Sequence, residues 1–394
     1  MRILFLSAWF PYPPDNGSRL RISNLLAGLA EKHQVDLVTF CDRADWQKGA
    51  KILHRHCSTI RVVPWKPFRP DSPRALVGFL SLTPRSLLYT HSPQMEQAIR
   101  EELQRQRYDL VIASEITMAV YWQVFTPVPA ILDDLELGAL AVKPGPRSMN
   151  LHRLRRMLTW TKARRYVARL LSHFRACTVV SAEEQALVLK AAPDYPGVVV
   201  LPNCIEGAHY ADIVTEPQWG QLIFPGALSY EANYDAVCFF LREIYARIRE
   251  KTPEAALVIT GRHNGVPWPP FPLPGPVQLT GWVEDVRPWI ASSWAMVVPL
   301  RQGSGTRIKI LESLALGTPV VSTHKGAEGL AVVDGQHLLL ADSPGAFAGA
   351  VRRLLCQPAL RQRLVEQGRA LVREHYDWQV VMPTFLQLVE RVTQ

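Results

Sequence analysis

Residues 294–323, WAMVVPLRQGSGTRIKILESLALGTPVVST, constrain the fold more than any other stretch of the chain. The spacing predicts a short buried strand over 295–300, a tight loop at Gly303-Ser304-Gly305-Thr306, and a helix over 307–316 stopped by Gly317. Pro319-Val320-Val321 then opens a second strand. A strand, glycine loop, helix and strand in this order make a parallel-sheet unit. The glycines of such a loop let backbone N–H groups approach a ligand, and the helix start adds unsatisfied donors and the positive end of its dipole. Arg307 and Lys309 place two full charges in the same turn.

The loop is not a dinucleotide fingerprint, because Ile308 stands where the third glycine belongs, and it lacks the Gly-Lys-Ser/Thr ending of a Walker loop. An anion-shaped site with one added carboxylate remains. At 100° per residue the apolar arc is Ile308, Ile310, Leu311, Leu314 and Ala315, and Glu312 falls just off its edge beside Lys309. Two readings of Glu312 stay open: a surface pair with Lys309, and a half-buried acceptor for sugar or ribose hydroxyls.

The 394 residues are long enough for two domains, and 48% apolar with 20% charged residues describes an ordinary globular chain. The run before Pro11 is short for a signal peptide, so the start is expected to be a first strand, and no apolar run reaches membrane-span length. Six cysteines without metal-type spacing imply reduced thiols in a cytoplasmic protein, with no metal site and no cofactor. Residues 1–205 hold 27 Lys/Arg against 17 Asp/Glu, whereas 206–394 hold 17 against 18. The surplus sits in one acid-free run, 143–175, with Lys143, Arg147, Arg153, Arg155, Arg156, Lys162, Arg164, Arg165, Arg169 and Arg175. An anionic membrane surface and plain solvation are both compatible with it, since Arg153, Arg156, Arg164 and Arg165 spread over more than half the helical wheel. No aromatic–basic interleaving accompanies the charge, so nucleic acid is not an expected partner.

Strands and helices alternate from the first strand at 3–7 and the helix at 18–32 up to a strand at 198–201. A linker over 202–220 precedes a second series, which starts with a strand at 221–224 and the Pro225-Gly226-Ala227 turn. The expected fold class is α/β: two doubly wound Rossmann-like domains facing a central cleft, over 1–205 and 206–377, with a terminal helix, 378–394, crossing back to the first. Ligands of such sheets meet the carboxyl ends of the strands. Asn16-Gly17 lies at one such end, either as a positive-φ turn or as a ligand contact. Asp133 and Asp134 end another strand and are candidates to bind acceptor hydroxyls, while Glu115 and His91 are read as surface or structural residues.

The run GWVEDVRPWIASSWAMVVPLRQGSGTRIKILESLALGTPVVSTHKGAEGL resembles the donor-binding half of the retaining glycosyltransferases of family 4, the group 1 glycosyltransferases with the GT-B fold. Within them it is most similar to the branch associated with bacterial exopolysaccharide. The likeness extends through Leu222-Ile223-Phe224-Pro225-Gly226, Asn233, His337-Leu338-Leu339-Leu340 and Tyr376-Asp377-Trp378, and at the other end through Met1-Arg2-Ile3-Leu4, Asn16-Gly17-Ser18-Arg19, Arg21, Val180-Ser181 and Pro202-Asn203.

That resemblance implies transfer of a hexose-type sugar, with retention, from a nucleotide-sugar donor to a glycan or lipid-linked acceptor, by a cytoplasmic enzyme at the inner membrane face. It implies that Glu312 holds the ribose, that Arg307 and Lys309 face the diphosphate, and that Gly17 brings N–H groups to it. It places Gly281, Trp282 and Val283 at the base and Gly226, Gly303, Ser304, Gly305 and Thr306 around the donor. Arg21 joins Asp133 and Asp134 on the acceptor side. Two positions depart from the pattern. Ser304 stands where the first glutamate of Glu-x7-Glu belongs, and Gly226-Ala227 with Ala232-Asn233 replace the usual Gly-Arg…Lys pair, so Arg307 and Lys309 are expected to substitute for it. A nucleotide-sugar epimerase or hydrolase of the same fold is the second reading, and a degenerate transferase acting as a binding partner is the third.

Overall fold

Near-continuous runs of Val, Ile and Leu make strands buried on both faces, and such strands pair in parallel beneath helices. The computed structural model describes residues 1–43, 45–65, 81, 83–138, 151–267, 271–303 and 307–394. The chain divides into two compact units, residues 1–203 with 382–394, and residues 204–381.

Among the described residues, the first unit holds seven strands: β1 (Arg2–Ser7), β2 (Gln34–Cys41), β3 (Thr59–Pro64), β4 (Leu110–Ser114), β5 (Ala130–Asp133), β6 (Ala176–Val179) and β7 (Val198–Val200). They lie in the order β3-β2-β1-β4-β5-β6-β7. Every pairing is parallel, with Ile3 opposite Val35 on one side and Leu110 on the other. Ile3, Leu4, Phe5 and Leu6 are fully buried, as expected of a central strand with helices on both faces.

The second unit repeats the plan with β8 (Gln218–Pro225), β9 (Ala256–Thr260), β10 (Val277–Gly281), β11 (Ser293–Val298), β12 (Val320–Ser322) and β13 (Leu339–Leu340), in the order β10-β9-β8-β11-β12-β13. Both orders reverse direction beside the first strand, at β1/β4 and at β8/β11. That reversal opens the crevice in which doubly wound sheets bind ligands. The second-unit helix Glu231–Phe239 continues through a π turn, Phe240–Ile244, into Tyr245–Arg249.

Both units are thus Rossmann-like parallel sheets, as the alternation predicts. The terminal helix, Trp378–Thr393, belongs by its first four residues to the second unit and from Met382 onward to the first. There Met382 fills the space above Gly28, where an added Cβ would come within 2.4 Å of its sulfur, and Arg175 Nη1 caps the helix through the Val392 carbonyl (2.7 Å).

One contact locks the carboxyl ends of β5, β6 and β7. Arg21, from the helix Gly17–Ala30, donates from Nη2 and Nε to Asp133 (2.6 and 3.1 Å), from Nη2 to the Thr178 hydroxyl (3.2 Å) and from Nη1 to the Leu201 carbonyl (2.8 Å). Thr178 donates to Asp133 in turn (2.7 Å), and both members of the ion pair have side chains 0% exposed. The acceptor role expected of Arg21 and Asp133 is therefore corrected. Their bonding capacity is spent inside the unit, because a buried charge is tolerated only when paired.

Removing one partner leaves a buried, unmatched charge. Asp133→Ala is expected to cost about 3–5 kcal/mol, and Arg21→Met with Asp133→Leu less than that. Urea-unfolding midpoints check this; a single variant as stable as the parent contradicts it.

Candidate functional site

At the crevice of the second unit, three strand ends lie within hydrogen-bond reach of one another. Gly226 N–H donates to the Thr260 carbonyl (3.0 Å) and Gly261 N–H to the Gly281 carbonyl (2.8 Å). Gly261 has φ +109, and a Cβ there would stand 2.7 Å from the Gly226 carbonyl carbon, so only glycine permits this approach. On the far side of β8 the loop after β11 returns through Gly303, at φ +103, beside Ala232 and Tyr230.

The helix Ile308–Leu316 starts here, with Arg307 at its N-cap and Gly317, in the left-handed region at φ +80, as its C-cap. The predicted helix and its stop agree with this to within one residue. Arg307 is buried, and its Nη2 donates to the carbonyls of Gly303 (3.2 Å) and Lys325 (3.4 Å), tying two loops to the helix start. Lys309 takes a separate path. Its Nζ donates to Asn233 Oδ1 (3.1 Å), lies 4.4 Å from the centre of the Phe224 ring, and would be 2.9 Å from a Cβ at Gly226. Asn233 is oriented by its own bond from Nδ2 to the Ala227 carbonyl (3.0 Å). Burial is the main cause that brings the Lys309 ammonium down to about 7, with the Arg307 charge adding to it and Glu312 opposing.

Glu312 sits one turn further on, half-buried. It pairs with neither cation of its helix. Its Oε1 accepts from the Tyr210 hydroxyl (3.0 Å), from the short helix Ala208–Ala211. Burial raises the Glu312 carboxyl, against the Tyr210 hydrogen bond and the charges of Lys309 and Arg287. Of the two open readings, the local Lys309–Glu312 ion pair does not form.

Gly281 ends β10 with φ +72, Val283 is partly buried, and Trp282 leaves 63% of its surface in solvent. Ser304, Gly305 and Thr306 lie outside the described residues. Arg307, Lys309, Glu312, Gly226 and Gly303 thus gather at the β8/β11 crevice, and Gly281 joins them through Gly261.

In the first unit, Asn16-Gly17 is not a positive-φ turn. Asn16 is extended (φ −149) and caps the helix Gly17–Ala30 by accepting from Arg19 N–H (3.0 Å). Gly17 is therefore a helix-start residue after β1, with N–H groups to offer. The counterpart after β4 is Glu115, which the sequence reading set aside. Glu115 has φ +67 and Asp134 φ +60, conformations that carboxylate residues adopt at a cost and that cluster where function holds them. Glu115 Oε1 accepts from Trp9 Nε1 (2.8 Å), whereas Asp134 Oδ1 is buried and has no hydrogen-bond partner. Burial first, then the Asp134 charge, pushes the Glu115 carboxyl up to about 8, and burial raises Asp134 as well. The signal available for Glu115 was its place one residue past β4, at the sheet's reversal.

Of the basic run, Lys143 and Arg147 lie outside the described residues, and Arg153, Arg155 and Arg156 fall in the first turns of the helix Leu151–Leu171. Lys162, Arg165 and Arg169 share one cavity of about 480 Å³ with Trp122 and His173, whose rings stack 3.4 Å apart. Among the described residues no helix is long and apolar enough to cross a membrane, and no group of three or more His, Cys, Asp or Glu could hold a metal ion.

Residues 220–357 match the family described as Glycosyl transferases group 1. Over 117 residues the chain is 32% identical to the lipopolysaccharide core biosynthesis glycosyltransferase LpsE of Rhizobium meliloti, which covers 29% of this chain and 34% of that protein. Over 259 residues it is 26% identical to the phosphatidyl-myo-inositol mannosyltransferase of Propionibacterium freudenreichii, covering 63% and 64%. The chain thus spans about a third of the first of these relatives and less than two thirds of the second. Among solved structures, Anabaena HepE in complex with UDP superposes with a TM-score of 0.67 at 13% identity, over 99% of this chain and 100% of that one. The sucrose-phosphate synthase of Thermosynechococcus elongatus superposes with a TM-score of 0.69 at 16% identity, over 100% and 99%. The chain therefore shares the fold of these solved structures, and the stretch that matches the group 1 family, residues 220–357, lies within the second unit.

Proposed function

We propose that this protein is a glycosyltransferase that takes a hexose-type sugar from a nucleotide-sugar, with Lys309 and Arg307 receiving the diphosphate and Glu312 the ribose. One observation carries the reading: the Lys309 ammonium lies at the end of β8, beside Asn233 and Gly226, where the usual basic pair is missing from the sequence. Charge builds on a nucleoside diphosphate as it leaves, and a desolvated cation stabilises that charge more than an exposed one does. Gly226 and Gly303 supply close backbone approach, and the exposed Trp282 ring offers a face to the base. Ser304, Gly305 and Thr306 complete the donor loop in this reading, with Gly281 and Val283 beside the base. The likeness to a lipopolysaccharide-core transferase and a mannosyltransferase, and the UDP bound in HepE, support a nucleotide-sugar donor and a glycan or lipid-linked acceptor.

The finer assignments belong to the same proposal: family 4, retention of anomeric configuration, a place in exopolysaccharide or cell-surface glycan synthesis, and cytoplasmic action at the inner membrane face through the basic run 143–175. On the acceptor side, Asp134 and Glu115 stand in place of Asp133 and Arg21. In this reading the cations Arg307 and Lys309 do the work of charge neutralisation without a metal. The deciding assay incubates UDP-, GDP- and ADP-sugars with lipid-linked acceptors, with and without EDTA and anionic liposomes, and reads nucleotide release and product anomer. Arg307→Gln and Lys309→Gln are each expected to lower turnover about 10²–10³-fold, and EDTA to leave it unchanged. Unaltered turnover in both variants sinks the assignment.

The free Lys309 is charged below about pH 7 and loses its proton above it, while a bound diphosphate restores the charge. Arg307, Glu312, Asn233 and Phe224 are the groups that face it. UDP affinity is expected to fall about five- to tenfold from pH 7 to pH 8, with Lys309→Met flat over that range beyond the nucleotide's own titration. Calorimetry at several pH values measures it.

Glu115 titrates near 8 in the folded chain, above the ordinary carboxyl value, so the stabilisation due to its proton is complete at low pH and disappears as pH rises through 8. Glu115→Gln keeps the acceptor for Trp9 and cannot ionise. It is expected to melt above the parent at pH 9 and level with it at pH 4; identical melting at pH 9 refutes the raised titration.

A further inference from the structure

Behind the C-terminal end of the helix Ile308–Leu316, wholly within the second unit, lies a cavity of about 770 Å³ that the proposed reaction does not use. Its walls are the segment 207–217, the helix end at 315–317 and the helix Pro358–His375. Three arginines line it, Arg361, Arg369 and Arg373, against one carboxylate, Asp377.

Arg361 is held from behind. Its Nε donates to the Trp294 carbonyl (3.4 Å) and its guanidinium lies 4.5 Å from the centre of the Trp294 ring, whereas its Nη2 is buried and has no hydrogen-bond partner. An unbonded guanidinium nitrogen out of water forfeits hydration and receives nothing in return, which a bound acceptor would repair. Arg369 donates to the carbonyls of Ala315 (3.3 Å) and Leu316 (3.0 Å) and so covers the negative end of the helix dipole, which would otherwise repel an anion. The side chain of Arg373 is 75% exposed, with Glu374 no closer than 3.8 Å. Burial, and next the charge of Arg369, depress the Arg361 titration, as expected of like charges kept close without a counter-ion. Ile213, Val214, Val365 and Val372 add apolar surface for the rest of a ligand.

We propose that this cavity binds a small organic phosphate, with Arg361 and Arg373 receiving the phosphate, at a site separate from Arg307 and Lys309. Tyr210 lines the same cavity and donates to Glu312, so occupancy reaches the ribose-binding carboxylate through one side chain. This second step rests on the donor reading above, whereas the binding itself does not.

Calorimetry of the full chain with glucose 6-phosphate and with inorganic phosphate, under saturating UDP, tests it. Binding of glucose 6-phosphate is expected, weakened about tenfold or more by Arg361→Lys and by Arg373→Gln. Arg373→Gln changes an exposed side chain and keeps the test open where changes at Arg361 disturb folding. Phosphate alone that binds as tightly shows recognition of the anion rather than of the ester and overturns the organic-phosphate assignment. The site is likewise overturned by no uptake of glucose 6-phosphate at 10-fold above millimolar concentration, or by Arg373→Gln binding as the parent does. For the relay, glucose 6-phosphate should shift UDP affinity severalfold in the parent and not in Tyr210→Phe; an equal shift in both removes Tyr210 from the path. Loss of UDP binding altogether, with glucose 6-phosphate still bound, would refute the donor reading and leave the cavity assignment standing.

Discussion

Everything at the proposed donor site depends on how closely the backbone after β8 is allowed to come to the backbone after β9. Gly261 leaves no side chain between them, so the Gly226 turn drops into contact and the Lys309 ammonium and Asn233 fill the space a Cβ would have taken. A cation delivered to that point by the helix Ile308–Leu316 is desolvated, which is why its proton is loosely held and why an anion there would be gripped strongly. The sheet's reversal supplies the crevice, and the glycines determine how deep it is.

The first unit solves a different problem with similar parts. Its β5, β6 and β7 ends are joined by a buried ion pair rather than by glycine contacts, so Arg21 and Asp133 give up any external role. The neighbouring Asp134 and Glu115 both hold a positive φ and are desolvated, and Asp134 Oδ1 also lacks a partner, a condition that clusters where function holds a residue. Adjacent carboxylates of one chain, Asp133 and Asp134, thus stand in opposite states, one paired and the other with an unbonded oxygen.

Local periodicity carried much of this into the sequence. The strand and the helix around 295–316, the Gly317 stop and the alternation into two parallel sheets all follow from spacings of a few residues. What could not be read were contacts between distant segments. Tyr210 meets Glu312 across 102 positions, in a stretch the composition marks as linker, and Asn233 draws Lys309 away from the i,i+3 partner that helical geometry offers it. Asp133 looked like a ligand because it ends a strand, and only the arrival of Arg21 from 112 residues earlier buries it. Asn16 was read for its tolerance of positive φ, while its hydrogen-bonding side chain made it a cap.

The first unit is discontinuous in sequence, because Met382–Gln394 completes it after 178 intervening residues have built the second. During synthesis its sheet can assemble early, yet the groove over Gly28 stays open until Met382 and the helix that carries it leave the ribosome. Order of emergence and order of completion therefore differ: the later-made unit has all its parts first, and the earlier-made one waits, with apolar surface uncovered, for the helix Trp378–Thr393.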